Sequence, residues 1–397
     1  MIKSKKVLPI IVISQFCCTS LWFAGNAVMQ NLVSDFHLDQ SALGHLTSSV
    51  QFGFISGTLL FAILTIADRF SPSKVFLLSA LFGALFNIGM IWEENHLTSL
   101  LVFRFFTGFF LAGIYPIGMK IAADYYEKGL GKSLGFLVGA LALGTAFPHL
   151  LKGLVIATSW KFVLLSTSGL AVIGGALMML FVPNGPFRHP SQKLDVSACF
   201  HVFKNSKFRS AAFGYFGHMW ELYAFWAFVP VILSTYNSIY PKSALNVPIL
   251  SFSIIGIGGI ACVLGGYLSL KIGTKKTASM ALLLSCLCCF ISPVMFMLDS
   301  ANIMVGFLFF WGMVVIADSP LFSTLVANNA PPKLKGTALT IVNCVGFSIT
   351  ILSIQVLTLL REFMNPTYMY MVLALGPLFG LVALYQKKEK KLRPTKD

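Results

Sequence analysis

The sequence predicts an all-α membrane protein: twelve transmembrane helices in two six-helix, pseudo-symmetric bundles, with both termini cytoplasmic. Three observations carry that reading. Apolar stretches of spanning length fill the chain, lysine and arginine crowd onto one set of loops, and the second half echoes the first. Of 397 residues 56% are hydrophobic and only 11% charged, too little charge to cover a soluble surface. A crossing helix needs about 20 apolar residues. Twelve stretches qualify: 7–30, 42–65, 75–92, 99–121, 133–151, 161–182, 210–235, 248–270, 278–298, 302–327, 338–360 and 368–385. The first is flanked by Lys3, Lys5 and Lys6 and imitates a signal peptide. It is longer than a signal core and lacks a small-residue cleavage site, so it reads as a retained helix.

Orientation follows from the basic residues. Of 29 lysines and arginines, Lys152, Lys161, Lys242 and Arg361 fall on one side and Arg104 lies inside a span. The rest fall on the other side, including Arg69, Lys74, Lys128, Lys132, Lys271, Lys275, Lys276 and the tail from Lys387 to Lys396. That bias places both termini in the cytoplasm and predicts a multi-pass protein of the plasma membrane, bacterial inner membrane by this pattern. The formal charge of +15 is scattered over inner loops, so it suits anionic lipid and not a nucleic-acid backbone. The eight cysteines show no metal or disulfide spacing, and those at 17, 18, 286, 288 and 289 read as small apolar packing residues. No metal or cofactor is expected.

The longest inner loop divides the chain into a bundle over 1–182, a cytoplasmic connection over 183–209, and a second bundle with a basic tail over 210–397. The halves repeat at an offset of about 202–204 residues. Asp68-Arg69-Phe70-Ser71-Pro72-Ser73-Lys74 follows span two, and Leu270-Lys271-Ile272-Gly273-Thr274-Lys275-Lys276 follows span eight. Thr107-Gly108 with Pro116 in span four matches Trp311-Gly312 with Pro320 in span ten. Parallel repeats of this kind build two bundles that rock about a central site.

The loop at Asp68, Arg69 and Lys74 resembles the Gly-x-x-x-Asp-Arg-x-Gly-Arg-Arg/Lys signature of the major facilitator superfamily, with Leu64 and Ser71 replacing its glycines. Arg104-Phe105-Phe106-Thr107-Gly108, through Gly113 and Pro116, resembles that family's fourth-helix signature. Gly217-His218-Met219-Trp220-Glu221-Leu222-Tyr223-Ala224-Phe225-Trp226 and Ala317-Asp318-Ser319-Pro320 resemble its cyanate or nitrate/nitrite permease-like bacterial branch. Neither span two nor span eight holds the arginine that nitrate porters of that branch carry. The resemblance covers almost the whole chain and implies secondary transport, with helices one, four, seven and ten lining a central cavity.

Within that frame the charges inside spans become the candidates. An ionisable side chain at the bilayer centre costs about 2.5–3.5 kcal/mol on insertion scales, so each asks for a reason. Arg104 suits attraction of an anion, or a structural bond to helix carbonyls. His218 and Glu221, three apart on one helix face, and Asp318, two before Pro320, are the proton-coupling candidates. Each has a packing alternative. Trp22 and Asn26 share a face in span one, and with Tyr115, Tyr223 and Trp226 they join Arg104 as substrate-binding candidates. Gln51 and Asn343 are weaker. Asp68, Arg69 and His149 are gating candidates.

The sum is a proton-coupled carrier of a small organic or inorganic anion that works as a monomer, with protons, a small-molecule solute and membrane lipid as its partners. Proton-driven multidrug efflux and a non-transporting membrane receptor stay open as alternatives. An enzyme is not expected, because the His, Asp and Glu residues are dispersed and no His-Glu-x-x-His spacing occurs.

Overall fold

The computed structural model describes residues 7–126, 130–154, 159–188, 202–331 and 334–386. The basic residues at Lys3–Lys6, Lys128, the Lys132 side chain and the tail from Lys387 lie outside the described residues. The regular structure described is helical throughout. The first half runs α1 (Val7–Thr19), α2 (Ala24–Ala27), α3 (Met29–Asp35), α4 (Ala42–Ile63), α5 (Ile66–Arg69), α6 (Pro72–Gly89), α7 (Leu97–Leu111), α8 (Tyr115–Tyr125), α9 (Leu130–Leu154) and α10 (Lys161–Phe181). The second half runs α11 (Ser206–Ile239), α12 (Val247–Gly256), α13 (Gly258–Ile272), α14 (Thr274–Met297), α15 (Ala301–Ala317), α16 (Ser319–Asn329), α17 (Lys335–Phe363) and α18 (Leu375–Tyr385).

Among the described residues ten helices are long and apolar enough to cross a membrane, with α7–α8, α12–α13 and α15–α16 each counted as one bent helix. Two shorter apolar helices, Val7–Thr19 and Met369–Tyr385, stand at the ends of the chain. The first span departs from the continuous helix expected over 7–30. Thr19 and Ser20 bond their hydroxyls back to the Gln15 and Cys17 carbonyls at 2.8 and 2.7 Å, offering the backbone an alternative to the helix ladder. The helix stops at Thr19 and resumes at Ala24. Spans four and ten also bend. In both, a proline in the first turn of the resuming helix, Pro116 or Pro320, lacks the N–H that would continue the ladder.

The sequence repeat reappears as a packing repeat. Gly108 on α7 lies against the Val50 carbonyl of α4, so closely that a Cβ would overlap it. Gly312 on α15 meets the Ile254 carbonyl of α12 in the same way, and both partners lie 204 residues further along. Small residues bring helix backbones together where apolar driving force is weak, which is the situation inside lipid.

The two halves press together toward the end of the molecule that carries Ser48, Lys152 and Thr358. There Gln355 Nε2 donates to Ser48 Oγ at 2.7 Å, Gly44 packs on Thr358, and Gly153 packs on Ile249. Along α9 this closeness fades. Gly139 would carry a Cβ 3.3 Å from the Gly259 carbonyl, whereas Gly135, one turn away, meets nothing within 4 Å.

Candidate functional site

Where the tight contact ends, aromatic rings from both halves meet. Trp22, at the break between α1 and α2, stacks on Tyr223 of α11 and on Phe347 of α17, both at 5.7 Å between centroids. Phe54 of α4 reaches Trp22 at 4.8 Å and Phe347 at 4.6 Å, and Trp226 meets Tyr223 at 5.3 Å. Such ring pairs hold by offset or edge contact as well as by buried area. Directly beneath lies a cavity between the halves, lined by Tyr115, Tyr215, Tyr223, Trp226, Asn343 and Phe347 among others. The expected solute-contacting residues Tyr115, Tyr223 and Trp226 therefore share one wall system, with Trp22 behind it. Asn26 lies further toward the tight end, where its Nδ2 donates to Thr47 Oγ1 at 2.8 Å.

Arg104, Glu221 and Asp318 do not line this cavity. Arg104 is fully buried and turns toward the first span. Its Nη1 donates to the Leu21 carbonyl at 3.1 Å and its Nη2 to the Trp22 carbonyl, two acceptors in the break of the first span. Gly25 packs beside the guanidinium, where a Cβ would sit 3.4 Å from Arg104 Nε. The guanidinium fork thus closes the broken helix on the same residue whose indole joins the aromatic stack.

Glu221 points into the second half. Trp311 Nε1 donates to it at 2.7 Å, Ser285 Oγ at 2.8 Å and the Cys289 thiol at 3.3 Å. Only neutral donors contact this carboxyl among the described residues, so nothing beside it fixes a negative charge. Its chain neighbour Leu222 lines the cavity. His218 Nδ1 pairs with Asp318 Oδ1 at 2.8 Å, both side chains 1% exposed. Asp318 sits at the bend between α15 and α16, and the next residue, Ser319, also lines the cavity. Each acid is thus the chain neighbour of a residue that lines the cavity.

The gating candidates are placed apart from these. Asp68 Oδ1 pairs with Lys120 Nζ at 2.9 Å, tying α5 to α8. Arg188, from the connection between the halves, donates to the Asp68 and Phe70 carbonyls, each at 2.8 Å. Arg69 is exposed. His149 follows Pro148 within α9, is 2% exposed, and its Nε2 has no partner among the described residues.

Sequence reasoning missed Ser285, Cys289 and Trp311 as partners of Glu221, and Arg188 and Lys120 around Asp68. Cys289 was expected as packing only, and its thiol instead donates to the carboxyl. Trp311 carried a signal, because it occupies the repeat position of Thr107 in the fourth-helix signature.

A two-half helical body with a cavity between the halves and bent helices around it is built as secondary transporters with parallel repeats are. The model of the Major Facilitator Superfamily matches residues 11–354. The chain belongs to the Major Facilitator Superfamily. This is a family of transporters and not of enzymes, and the chain is an integral, multi-pass membrane protein. An uncharacterized transporter of Schizosaccharomyces pombe is 28% identical over 184 residues, covering 44% of this chain and 37% of that protein. The niacin transporter NiaP of Acinetobacter baylyi is 30% identical over 162 residues, covering 34% of this chain and 36% of that one. The alignments thus span little more than a third of these relatives' length. The crystal structure of a bacterial homologue of the human lysosomal transporter Spinster superposes with a TM-score of 0.68 over 96% of this chain and 94% of that one, at 15% identity. It shares the superfamily fold.

Proposed function

We propose that this superfamily member is a proton-coupled carrier of a small organic anion. It would work as a monomer with twelve membrane helices and both termini in the cytoplasm, in a bacterial inner membrane. The two short apolar helices, Val7–Thr19 and Met369–Tyr385, would complete the twelve. With that topology the tight end faces outward and the cavity opens toward the cytoplasm. The observation that carries the reading is the placement of Glu221, and of Asp318 paired with His218, each next in the chain to a residue that lines an interbundle cavity. Leu222 and Ser319, the chain neighbours of the two acids, belong to the cavity wall, so a change of charge at either acid acts on backbone that the wall shares.

Among the described residues the lining holds no charged side chain of either sign, and its polar groups are tyrosine and serine hydroxyls and Asn343. The anion is favoured by these hydrogen-bond donors and not by a counter-charge. The niacin named for one relative is a small organic acid, which agrees. The cyanate or nitrate/nitrite permease-like resemblance agrees in solute size and sign. Arg104 is assigned to bracing the first span instead of binding the solute, because two of its nitrogens are committed to the Leu21 and Trp22 carbonyls.

Uptake into proteoliposomes tests the proposal. An inward proton gradient should drive accumulation of a small organic anion, and a protonophore should collapse it. Extrusion of unrelated lipophilic cations would instead establish efflux, and binding without flux would establish a receptor.

A further inference from the structure

Three side chains around the aromatic stack are fully buried yet have a polar end with no partner among the described residues. They are the Nε1 of Trp22, the Nε1 of Trp226 and the amide of Gln51. Buried N–H groups are normally paired, so orphans on residues joined through one set of stacked rings point to a group that comes and goes. Their grouping follows from the helices. Gln51 stands one turn from Thr47, which holds Asn26, and one turn from Phe54, which lies on Trp22. Trp226 meets Tyr223 at 5.3 Å, and Tyr223 in turn stacks on Trp22. Tyr223, Trp226 and Phe347 also line the cavity, so a molecule there touches the same rings that close the halves.

We propose that the stack is itself the solute site: a planar aromatic ring bearing a carboxylate inserts between Trp22 of the first half and Tyr223 and Phe347 of the second, and takes hydrogen bonds from the orphan indoles. This rests on the carrier reading above and adds the class of solute to it. In the closed arrangement the protein's own rings occupy each other's faces at stacking distance. A flat ring can replace those contacts from both sides, which a saturated ring of the same size cannot do as well. The head group follows from the donors. Indole N–H only donates, so two of them together select an acceptor, and an ionised carboxylate only accepts. No charged side chain of either sign lines the cavity among the described residues, so the donors and not a counter-charge set the preference. Because Trp22 belongs to one half and its ring partners to the other, solute binding and separation of the halves act on the same surfaces, which is the coupling a carrier requires.

Equilibrium dialysis of the purified protein with labelled benzoate, cyclohexanecarboxylate and benzylamine decides it. Benzoate should bind saturably, cyclohexanecarboxylate about tenfold more weakly, and benzylamine not measurably, a tenfold change being what one aromatic contact or one hydrogen bond supplies. Trp22→Phe and Trp226→Phe keep a ring and remove the N–H, and each should weaken benzoate about tenfold in protein that still unfolds in a cooperative thermal transition. Equal binding of benzoate and cyclohexanecarboxylate, unchanged affinity in both variants, or no saturable benzoate binding at millimolar concentration would overturn the assignment. The carrier reading is separated by flux. Proton-driven accumulation of a non-aromatic anion with any of those results would leave the carrier standing and remove only the aromatic site.

Discussion

The two halves each bury charge inside the membrane region, and they treat it in opposite ways. In the first half Arg104 is matched by main-chain carbonyls in a broken helix, with no carboxylate among its partners in the described residues. Arginine cannot shed its proton in a protein, so that site is fixed in charge and fixed in geometry. In the second half Glu221 meets only neutral donors, and Asp318 meets a histidine, so both positions can change charge without losing every partner. The difference teaches that the repeat conserves backbone crossings and not chemistry. Gly108 and Gly312 make equivalent contacts, while the polar groups near them differ: a carbonyl-bound arginine on one side and a carboxyl among neutral donors on the other.

Substitutions can break this comparison. Arg104→Ala should have the largest effect, because it strands the Leu21 and Trp22 carbonyls and removes hydrogen bonds from a charged donor. The loss should be about 2–5 kcal/mol, read as a fall in thermal midpoint of the solubilised protein, with Arg104→Lys recovering part of it. An unchanged midpoint in the alanine variant would contradict the brace. Gly108→Ala and Gly312→Ala should each cost about 1–3 kcal/mol, since the added methyl overlaps a facing carbonyl. A large loss at one position with none at the other would break the packing symmetry. Glu221→Gln should be smaller in stability, within about 1 kcal/mol, because the amide keeps the shape and an acceptor oxygen for Trp311. Its effect falls on coupling. The smallest change is at Thr65, a β-branched residue held at φ 51° before α5. Thr65→Gly should raise the midpoint slightly, by about 1 kcal/mol of relieved strain.

The sequence carried much of this arrangement, and its gaps have physical causes. Hydropathy located the long helices because lipid imposes length and apolarity on each one separately. The repeat at Gly108 and Gly312 was readable for the same reason, since close crossings demand a missing side chain at fixed spacing. The break after Thr19 was not readable, because it depends on Arg104, 85 residues later, to donate to the exposed carbonyls. The candidate charges stood out by their cost in an apolar span, yet cost says nothing of direction. Glu221 and Trp226 occupy one helix, and only the fold turns one into the second bundle and the other onto the cavity. Cys289 was legible as apolar and became a donor only through the helix packed across from it.

Coupling is proposed to reside in the second half, at Glu221. Solute movement in proteoliposomes holding the Glu221→Gln variant tests it most directly, measured once as counterflow without a gradient and once as accumulation under an inward proton gradient. The prediction is counterflow near the unaltered protein's rate with accumulation abolished. Gradient-driven accumulation at the unaltered level would contradict the claim.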